Sequence, residues 1–339
     1  MGGEPDSGEN DMLRCLAGVL VVVFTCGMAP AQQAPCKVSV SVASEKLSYP
    51  VPAKPPSPKG GFPPELWQPA RGLRSEDFVV RDGRRGVPVL SVETETGPRR
   101  VAFVVVYGSG DAPGTQNLSI NAGPGGVQIS AILSDARPGD SFALLNAWGP
   151  HLSVPFGSSR DALLEALRVL SPGKGRPQGD AVLDALRDAS GLFGAPEPGD
   201  TIFLVGGSEH WPRGKASQVR STLVSRGIRL FALGAGISNE ECLNPGLPCI
   251  ESLSPDGVLV EETGGAWESI GSDGPDAVDE NVRLWQNEAK ALYDMATSTY
   301  ALRLSKTGPH LKIELSPEAR SRLQWPPRIS YPSPLPVCP

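Results

Sequence analysis

Residues 100–106 have the sequence RVAFVVV, an almost unbroken apolar run. Such a run is typical of a strand that is buried on both faces of a parallel sheet. The segments TIFLVG at residues 201–206, IRLFALG at 228–234 and the stretch from 141 to 148 are of the same kind. Apolar residues at helical spacing occupy segments between these runs, at 129–136, 163–170 and 182–189. This alternation predicts an α/β domain with a doubly wound, mostly parallel sheet over residues 99–270.

Two other regions flank this domain. Residues 36–98 contain short strand-like runs, broken by a Pro/Gly-rich loop at 49–65, and predict a small β unit. Residues 271–339 begin with a long amphipathic helix, whose apolar face carries Val282, Trp285, Ala289 and Leu292. The runs STYALRLS and HLKIELS follow, separated by a KTGP turn, and predict a β-hairpin before a Pro-rich tail. We expect this C-terminal part to pack on the N-terminal β unit.

The first 31 residues have the features of a secretory signal peptide. One basic residue precedes an apolar run from 15 to 26, and small residues then end at Ala31, where we expect cleavage. The run is shorter than the roughly 20 residues that span a bilayer, which argues against a retained anchor. The acidic segment before Met12 is unlike a signal sequence and indicates that translation begins at Met12. A lipid anchor on Cys26 is disfavoured because VFT is a poor lipobox. We therefore expect a secreted or periplasmic chain whose mature part has no membrane span.

Charge and cysteine content restrict the function further. The net charge is −6 with no block of basic residues, which argues against nucleic acid as a partner. Four cysteines follow the predicted cleavage site, and an even number in an exported chain favours disulfides. Cys242 and Cys249 enclose a short Pro/Gly loop and suggest a local pair, so that Cys36 and Cys338 would join the chain ends. The other two connectivities stay open. A metal site built from these cysteines is disfavoured because no CxxC pair is present.

The order of several phrases resembles the secreted bacterial von Willebrand factor A-related proteins, a group first noted in Acidobacteria. These phrases are GLRSEDFVVRDGRRGVPVLSVE at 72–93, SDARPGDSFALLNAW at 134–148, SRGIRLFALGAG at 225–236, EETGG at 261–265, and YALRLSKTGPHLKIELS with PPRISYPSP between 300 and 334. The resemblance implies a von Willebrand factor A, Rossmann-like α/β fold. In such sheets the binding face lies at the carboxyl ends of the strands.

The metal-ion-dependent adhesion site of that family is degenerate in this sequence. The family holds a divalent cation with the motif Asp-x-Ser-x-Ser after the first core strand. Here Tyr107 stands at the Asp position, Ser109 remains, and Asp111 replaces the last serine. The threonine of the second loop corresponds to Arg176 or to Pro177.

The third loop is also changed. Gly206 and Gly207 stand where the family has a Thr-Asp or Ser-Asp pair. Magnesium requires near-octahedral oxygen ligands, usually with carboxylate charge. Ser109 and Asp111 alone are too few, and Arg176 would add positive charge beside them. The sequence therefore predicts no bound metal and no cofactor.

Aromatic residues occupy the same predicted edge. Tyr107, Trp148, His210 and Trp211 fall at or just after the ends of core strands, and tyrosine and tryptophan are favoured anchors in protein interfaces. The candidate binding residues are therefore Tyr107, Ser109, Asp111, Arg176, His210 and Trp211. Two simpler interpretations stay open: Trp148 covers the core, and the edge is a vestigial, solvated surface.

These observations predict an extracytoplasmic, non-catalytic module that binds a protein of unknown identity. One alternative is a cation-dependent adhesin that uses Ser109, Asp111 and a ligand from its partner. A second alternative is a structural component of an envelope complex. Enzymatic activity is not expected: GSGDAPG has the wrong spacing for a dinucleotide loop and contains Pro113, and GGSEH lacks the last glycine of a G-x-S-x-G nucleophile turn.

Overall fold

The structure is a computed structural model that describes residues 36–45, 67–106, 108–109, 124–148, 152–170, 173–174, 179–206, 213–235, 255–270, 278–323 and 327–335. All of these residues belong to one unit, Pro35–Pro339. None of the helices in these ranges is both long enough and apolar enough to cross a membrane.

The described residues form strands and helices in the following order. The strands are β1 (Cys36–Glu45), β2 (Trp67–Pro69), β3 (Phe78–Asp82), β4 (Arg85–Val87), β5 (Val89–Glu95), β6 (Arg100–Val105), β7 (Gly108–Ser109), β8 (Ser141–Asn146), β9 (Leu152–Val154), β10 (Gly173–Lys174), β11 (Thr201–Val205), β12 (Arg229–Ala235), β13 (Trp267–Ile270), β14 (Thr299–Leu304), β15 (Leu311–Leu315) and β16 (Arg328–Ser330). The helices are α1 (Pro124–Asp135), α2 (Arg160–Val169), α3 (Gly179–Leu192), α4 (Arg213–Ser225), α5 (Pro255–Glu262), α6 (Val278–Thr297) and α7 (Pro317–Arg322).

The central sheet has the strand order β13-β12-β11-β6-β8-β9, and its pairs are parallel except that β9 runs antiparallel to β8. All residues of β11 are buried, as are those of β6 after its first, because helices cover both faces of the sheet. One face packs on α1, α2 and α6, and the other on α3, α4 and α5. Strand β9 is the antiparallel edge of this sheet.

A row of phenylalanines crosses the first face of this sheet. Phe103 lies opposite Phe203, which lies opposite Phe231, and Phe142 stacks on the other side of Phe103. The ring centroids are 5.4–6.1 Å apart. Aromatic pairs at such distances add stabilisation beyond the area they bury. The apolar runs that predicted the core strands thus also supply a row of aromatic contacts across the sheet.

Two antiparallel sheets form a separate layer built from both ends of the chain. The first has the order β16-β1-β14-β5, with β2 paired to β1, and the second has the order β15-β3-β4. Their inner faces share one apolar cluster that includes Val40, Phe78, Leu302 and Ile313. The mixed α/β class predicted from the sequence is therefore confirmed, and a substantial part of the chain forms antiparallel sheet.

The predicted C-terminal β-hairpin is wrong. The two strands, β14 and β15, pair with different sheets: β14 lies between β1 and β5, whereas β15 pairs with β3. The physical reason lies in burial. Five of the six residues of β14 are buried, as in a central strand, whereas β15 alternates between buried and more exposed residues. The chain also passes between these two sheets at Pro88, from β4 to β5. Proline has no N–H and so cannot continue a ladder.

The C-terminus of α6 is held by buried polar groups from both layers. The carbonyl of Ala296 accepts a hydrogen bond from Arg229, which also donates to Ser41 Oγ in β1. Ser41 Oγ in turn donates to the carbonyl of Met295 at 2.8 Å. The last carbonyls of a helix have no partner within the helix and carry partial negative charge, so cationic donors stabilise them.

Two further arginines complete this end of the helix. Arg137 and Arg99 donate to the carbonyl of Thr297, at 3.0 and 3.4 Å. Arg99 also reaches Thr299 Oγ1 at 3.0 Å, at the start of β14. Burial lowers the pKa of Arg229 to about 10, with a smaller contribution from the charge of Arg99, so Arg229 remains a cation at neutral pH.

The EETGG phrase follows α5 and has a packing reason. Thr263 Oγ1 accepts a hydrogen bond from the Leu230 N–H at 3.0 Å, which fixes the turn against β12. A Cβ atom on Gly265 would lie 1.6 Å from the carbonyl oxygen of Leu230, so the backbones approach too closely for any side chain. Gly264 has a φ of +80° and lies against Pro332.

Replacing Arg229 with leucine should lower the free energy of unfolding by about 2–4 kcal/mol, because a buried acceptor without a donor costs about 1–3 kcal/mol. Urea unfolding measures the change. The control is Arg187→Leu, whose side chain is 62% exposed and whose effect should stay within about 0.5 kcal/mol. Equal midpoints for both variants would show that Arg229 does not hold the end of α6.

Replacing Gly265 with alanine should destabilise the protein by more than about 2 kcal/mol, since the Leu230 backbone must move to admit the methyl group. Gly191, in α3, is the matched control because a Cβ there meets nothing within 4 Å. Alanine at Gly191 should stabilise the helix by up to about 1 kcal/mol. Thermal unfolding of the two variants should therefore shift in opposite directions, and a shift in the same direction contradicts the close approach.

Candidate functional site

Three segments that carry predicted site residues or Trp148 leave the central sheet side by side. At the carboxyl ends of the strands, Val105 of β6 lies opposite Val205 of β11 on one side and Asn146 of β8 on the other. The ladder continues one residue further, with the Val106 N–H donating to Val205 O at 2.9 Å and the Ala147 N–H donating to Val105 O at 3.0 Å. The segments that begin at residues 107, 147 and 206 therefore start from one edge.

The first and second predicted loops also pair with each other. Strands β7 and β10 are parallel, with Gly108 opposite Gly173 and Ser109 opposite Lys174. The backbone of Ser109 is thus described. Its partner, Lys174, precedes Arg176 by two residues in the chain. The sequence prediction did not include Lys174, although its position in GKGR beside Arg176 gave a signal.

Most of the predicted site residues lie outside the described residues. These are Tyr107, Asp111, Arg176, His210 and Trp211. The roles predicted for them remain predictions.

The segment after β8 is fixed by a side chain that the sequence prediction did not assign to the site. Asn146 Oδ1 accepts a hydrogen bond from the Trp148 N–H at 3.0 Å. An asparagine that binds the backbone two residues ahead forms a local turn. Trp148 is half-buried.

The segment after β11 begins with a glycine in an unusual conformation. Gly206 is buried, has a φ of +106° and donates its N–H to Leu233 O at 2.7 Å. An L-residue rarely adopts such a φ, and strain of this kind costs about 1–3 kcal/mol. The threonine or serine that the family resemblance implies near this position would therefore be strained at Gly206.

A buried polar pair fixes the helix that follows the first loop. Gln128 of α1 donates from Nε2 to Glu288 Oε2 of α6 at 3.3 Å, and both residues are buried. Burying a carboxyl and an amide is costly unless they bind one another or further partners. This pair therefore selects one register between α1 and α6, and the contact was not predictable because the two residues lie far apart in the chain.

Ligands for a metal ion are not grouped in the described part of the chain, where no three His, Cys, Asp or Glu residues lie in a suitable arrangement. A cleft of about 460 Å³ lies between α1 and α2, lined by residues such as Leu133, Arg160 and Leu164, and it includes no predicted site residue. Cys36 is disulfide-bonded. Its predicted pairing with Cys338, like the predicted pair of Cys242 and Cys249, lies outside the described residues.

No family model matches the chain, and no curated protein matches it. Solved structures to which it is similar include a von Willebrand factor type A protein from Catenulispora acidiphila, at 14% identity and a TM-score of 0.40, over 77% of this chain and 51% of that one. They also include the conserved hypothetical protein BatB from Bacteroides thetaiotaomicron, at 15% identity and a TM-score of 0.37, over 57% of this chain and 100% of that one.

A third similar structure is proximal thread matrix protein 1 from the mussel byssus, with a zinc-occupied metal-ion-dependent adhesion site, at 15% identity and a TM-score of 0.43, over 63% and 50%. This chain thus spans about half the length of the first and third of these proteins. The chain resembles solved von Willebrand factor A structures, as its sequence phrases predicted. Such distant likenesses do not extend to ligands or partners.

Replacing Gly206 with threonine should lower the free energy of unfolding by about 1–3 kcal/mol, because threonine is strained at a φ of +106°. The control is Gly97→Thr, since Gly97 is exposed and a Cβ there meets nothing within 4 Å. Chemical unfolding of both variants measures the difference. A Gly206 variant as stable as the control would mean that β11 does not require glycine at its end.

Proposed function

We propose that the chain is an extracytoplasmic, non-catalytic protein-binding module, built on a doubly wound, von Willebrand factor A-like sheet. Its recognition surface is the edge at the carboxyl ends of β6, β8 and β11, and it works without a metal ion. The observation that carries the proposal is the register that starts three loops from adjacent strands and pairs Ser109 with Lys174. Loops on a rigid sheet are the usual place for recognition residues.

The chemistry of this edge favours contact with a protein. Tyr107, Trp148 and Trp211 supply aromatic surface, which anchors protein interfaces at a low cost in conformational entropy. Arg176 and His210 supply donors around it. Metal independence is favoured because Gly206 occupies the start of the third loop in a conformation that suits only glycine.

The organisation of the chain supports an exported protein. Cys36 forms a disulfide, and disulfides persist mainly in oxidising compartments outside the cytosol. We propose a signal peptide over residues 1–31 and a recognition domain over 99–270. The β unit of 36–98 and the C-terminal part of 271–339 act together as its base, since β1 pairs with β14 and β3 with β15.

Replacing Tyr107 and Trp211 together with alanine should weaken capture of a partner by the immobilised chain from envelope extracts. Once the partner is purified, its affinity should fall by about 30-fold or more, because an anchor residue contributes about 2 kcal/mol. Arg187→Ala is the control, since this side chain is 62% exposed in the second half of α3, towards Phe193, whose carbonyl accepts from Arg100 at the amino end of β6. Unchanged retention by the double variant contradicts the proposed surface.

The same capture experiment distinguishes the proposed metal-independent surface from a cation-dependent adhesin. Binding should persist in a chelator, and titration calorimetry with Mg²⁺, Ca²⁺ and Mn²⁺ should show no heat of binding to the isolated chain. Loss of the partner in chelator, restored by one of these ions, would favour an adhesin that uses Ser109 and Asp111. Capture that neither the double variant nor the chelator affects would instead favour a structural component of an envelope complex.

A further inference from the structure

One end of the β15-β3-β4 sheet collects positive charge from separate parts of the sequence. Phe78 and Val80 of β3 point into the apolar cluster, so the alternate residue Arg81 points outward, where it is exposed. Lys312, opposite Arg81, lies on the same side of the sheet, whereas Arg85, opposite Asp82, lies on the other side. We call this end of the sheet the basic face and define it by five exposed side chains: Arg81, Arg84, Arg85, Lys306 and Lys312. The chain as a whole carries a net charge of −6, so this concentration is not a reflection of its composition.

Two members of the basic face lie directly opposite each other. Lys312 of β15 is paired with Arg81 of β3 in the antiparallel register. Like charges at opposed positions destabilise a sheet. Within the described residues, neither side chain has a carboxylate in ion-pair range. The sheet thus carries a repulsive pair that does nothing for its own stability.

A single carboxylate lies among these cations, and it is already engaged. Asp82 Oδ2 lies 2.6 Å from Lys306 Nζ. The hydrogen bond and charge of Lys306 lower the pKa of Asp82, and His310 and Arg85 contribute further to the lowering. Glu314 lies on the same side of the sheet as Lys312, two residues along β15, and its carboxylate is 4.0 Å from the guanidinium of Arg320. The local field is therefore positive after these pairs are counted.

An exposed leucine adjoins the basic face. Leu90 is 57% exposed. It is skipped in the pairing of β5 with β14, where the register passes from Ser91 opposite Arg303 to Val89 opposite Leu304. A hydrogen bond connects this part of β5 with the basic face. The Ser305 N–H donates to the carbonyl of Pro88, two residues before Leu90, at 3.4 Å, and Lys306 directly follows Ser305.

We propose that the basic face docks on a membrane surface that contains anionic phospholipid. The five cations are exposed on both sides of this sheet end and contribute no residue to the cleft between α1 and α2, so they suit an extended plane of charged headgroups better than a small anion. Lysine and arginine near such a plane are attracted by its negative potential, and Leu90 supplies an apolar group to enter the interface.

The position of the basic face in the fold agrees with this role. The antiparallel layer meets the central sheet at the amino ends of its strands, where Arg229 begins β12 and binds Ser41 of β1. The proposed recognition edge lies at the carboxyl ends. A chain docked through the basic face would therefore present its recognition loops away from the lipid.

The experiment is flotation of the full mature chain with vesicles. Vesicles of phosphatidylglycerol mixed with phosphatidylcholine should retain it, pure phosphatidylcholine should not, and retention should fall as salt rises. The double variant Arg81→Gln/Lys312→Gln should bind about 25-fold more weakly, because each cation near the surface contributes a factor of roughly five. Leu90→Ala should weaken retention several-fold without a change of charge.

The control is Arg168→Gln/Arg187→Gln, which removes the same charge from helical side chains that are 66% and 62% exposed. It should change retention by less than about twofold. Urea unfolding of the basic-face variant checks that it is folded, and removal of the repulsive pair should leave its stability equal or slightly raised. Equal binding to neutral vesicles, or undiminished binding by the basic-face variant, overturns the proposal. So does retention of polyglutamate or duplex DNA by the same residues when the vesicles are not retained.

Discussion

The structure depends on how the C-terminus of α6 is satisfied. Three arginines from distant segments, Arg99, Arg137 and Arg229, donate to the last carbonyls of this helix. Arg99 and Arg229 stand at the amino ends of central strands, and both also bind residues of the antiparallel layer, Thr299 and Ser41. One set of buried hydrogen bonds therefore joins the parallel sheet, the helix on its face and the antiparallel layer. Because Arg99 and Arg229 are costly to bury, the helix end and the strand starts select one another.

The amino-acid sequence predicted the parts of the fold that depend on burial along a single segment. The runs that became β6, β11 and β12 were recognisable because strands covered on both faces need apolar residues at every position. The path of the chain between sheets was not predictable in the same way. Strand β14 resembles the first arm of a hairpin in sequence, but its partners β1 and β5 lie more than 200 residues away in the chain. Pairing at that separation is decided by which faces remain uncovered, a property of the assembled layers and not of the segment.

The candidate site was likewise predictable from the sequence only in part. That loops meet at the carboxyl edge followed from the order of strands and helices, and the pairing of Ser109 with Lys174 now gives two of them a register. The turn made by Asn146 and the buried contact of Gln128 with Glu288 were not predicted, because each depends on a partner whose position only the packed structure supplies. The basic face is a further case. The sequence has no basic block, yet β3, β4 and the segment around β15 bring dispersed cations to one end of a sheet.

The direction of β1 relative to β14 has a mechanical consequence. The two strands are antiparallel, with Cys36 opposite Leu304 and Ser41 opposite Thr299, and α6 leads into the Thr299 end. A pulling force that enters before Cys36 and leaves through α6 acts at opposite ends of this ladder. It therefore loads the rungs in shear, all at once, instead of peeling them apart one after another.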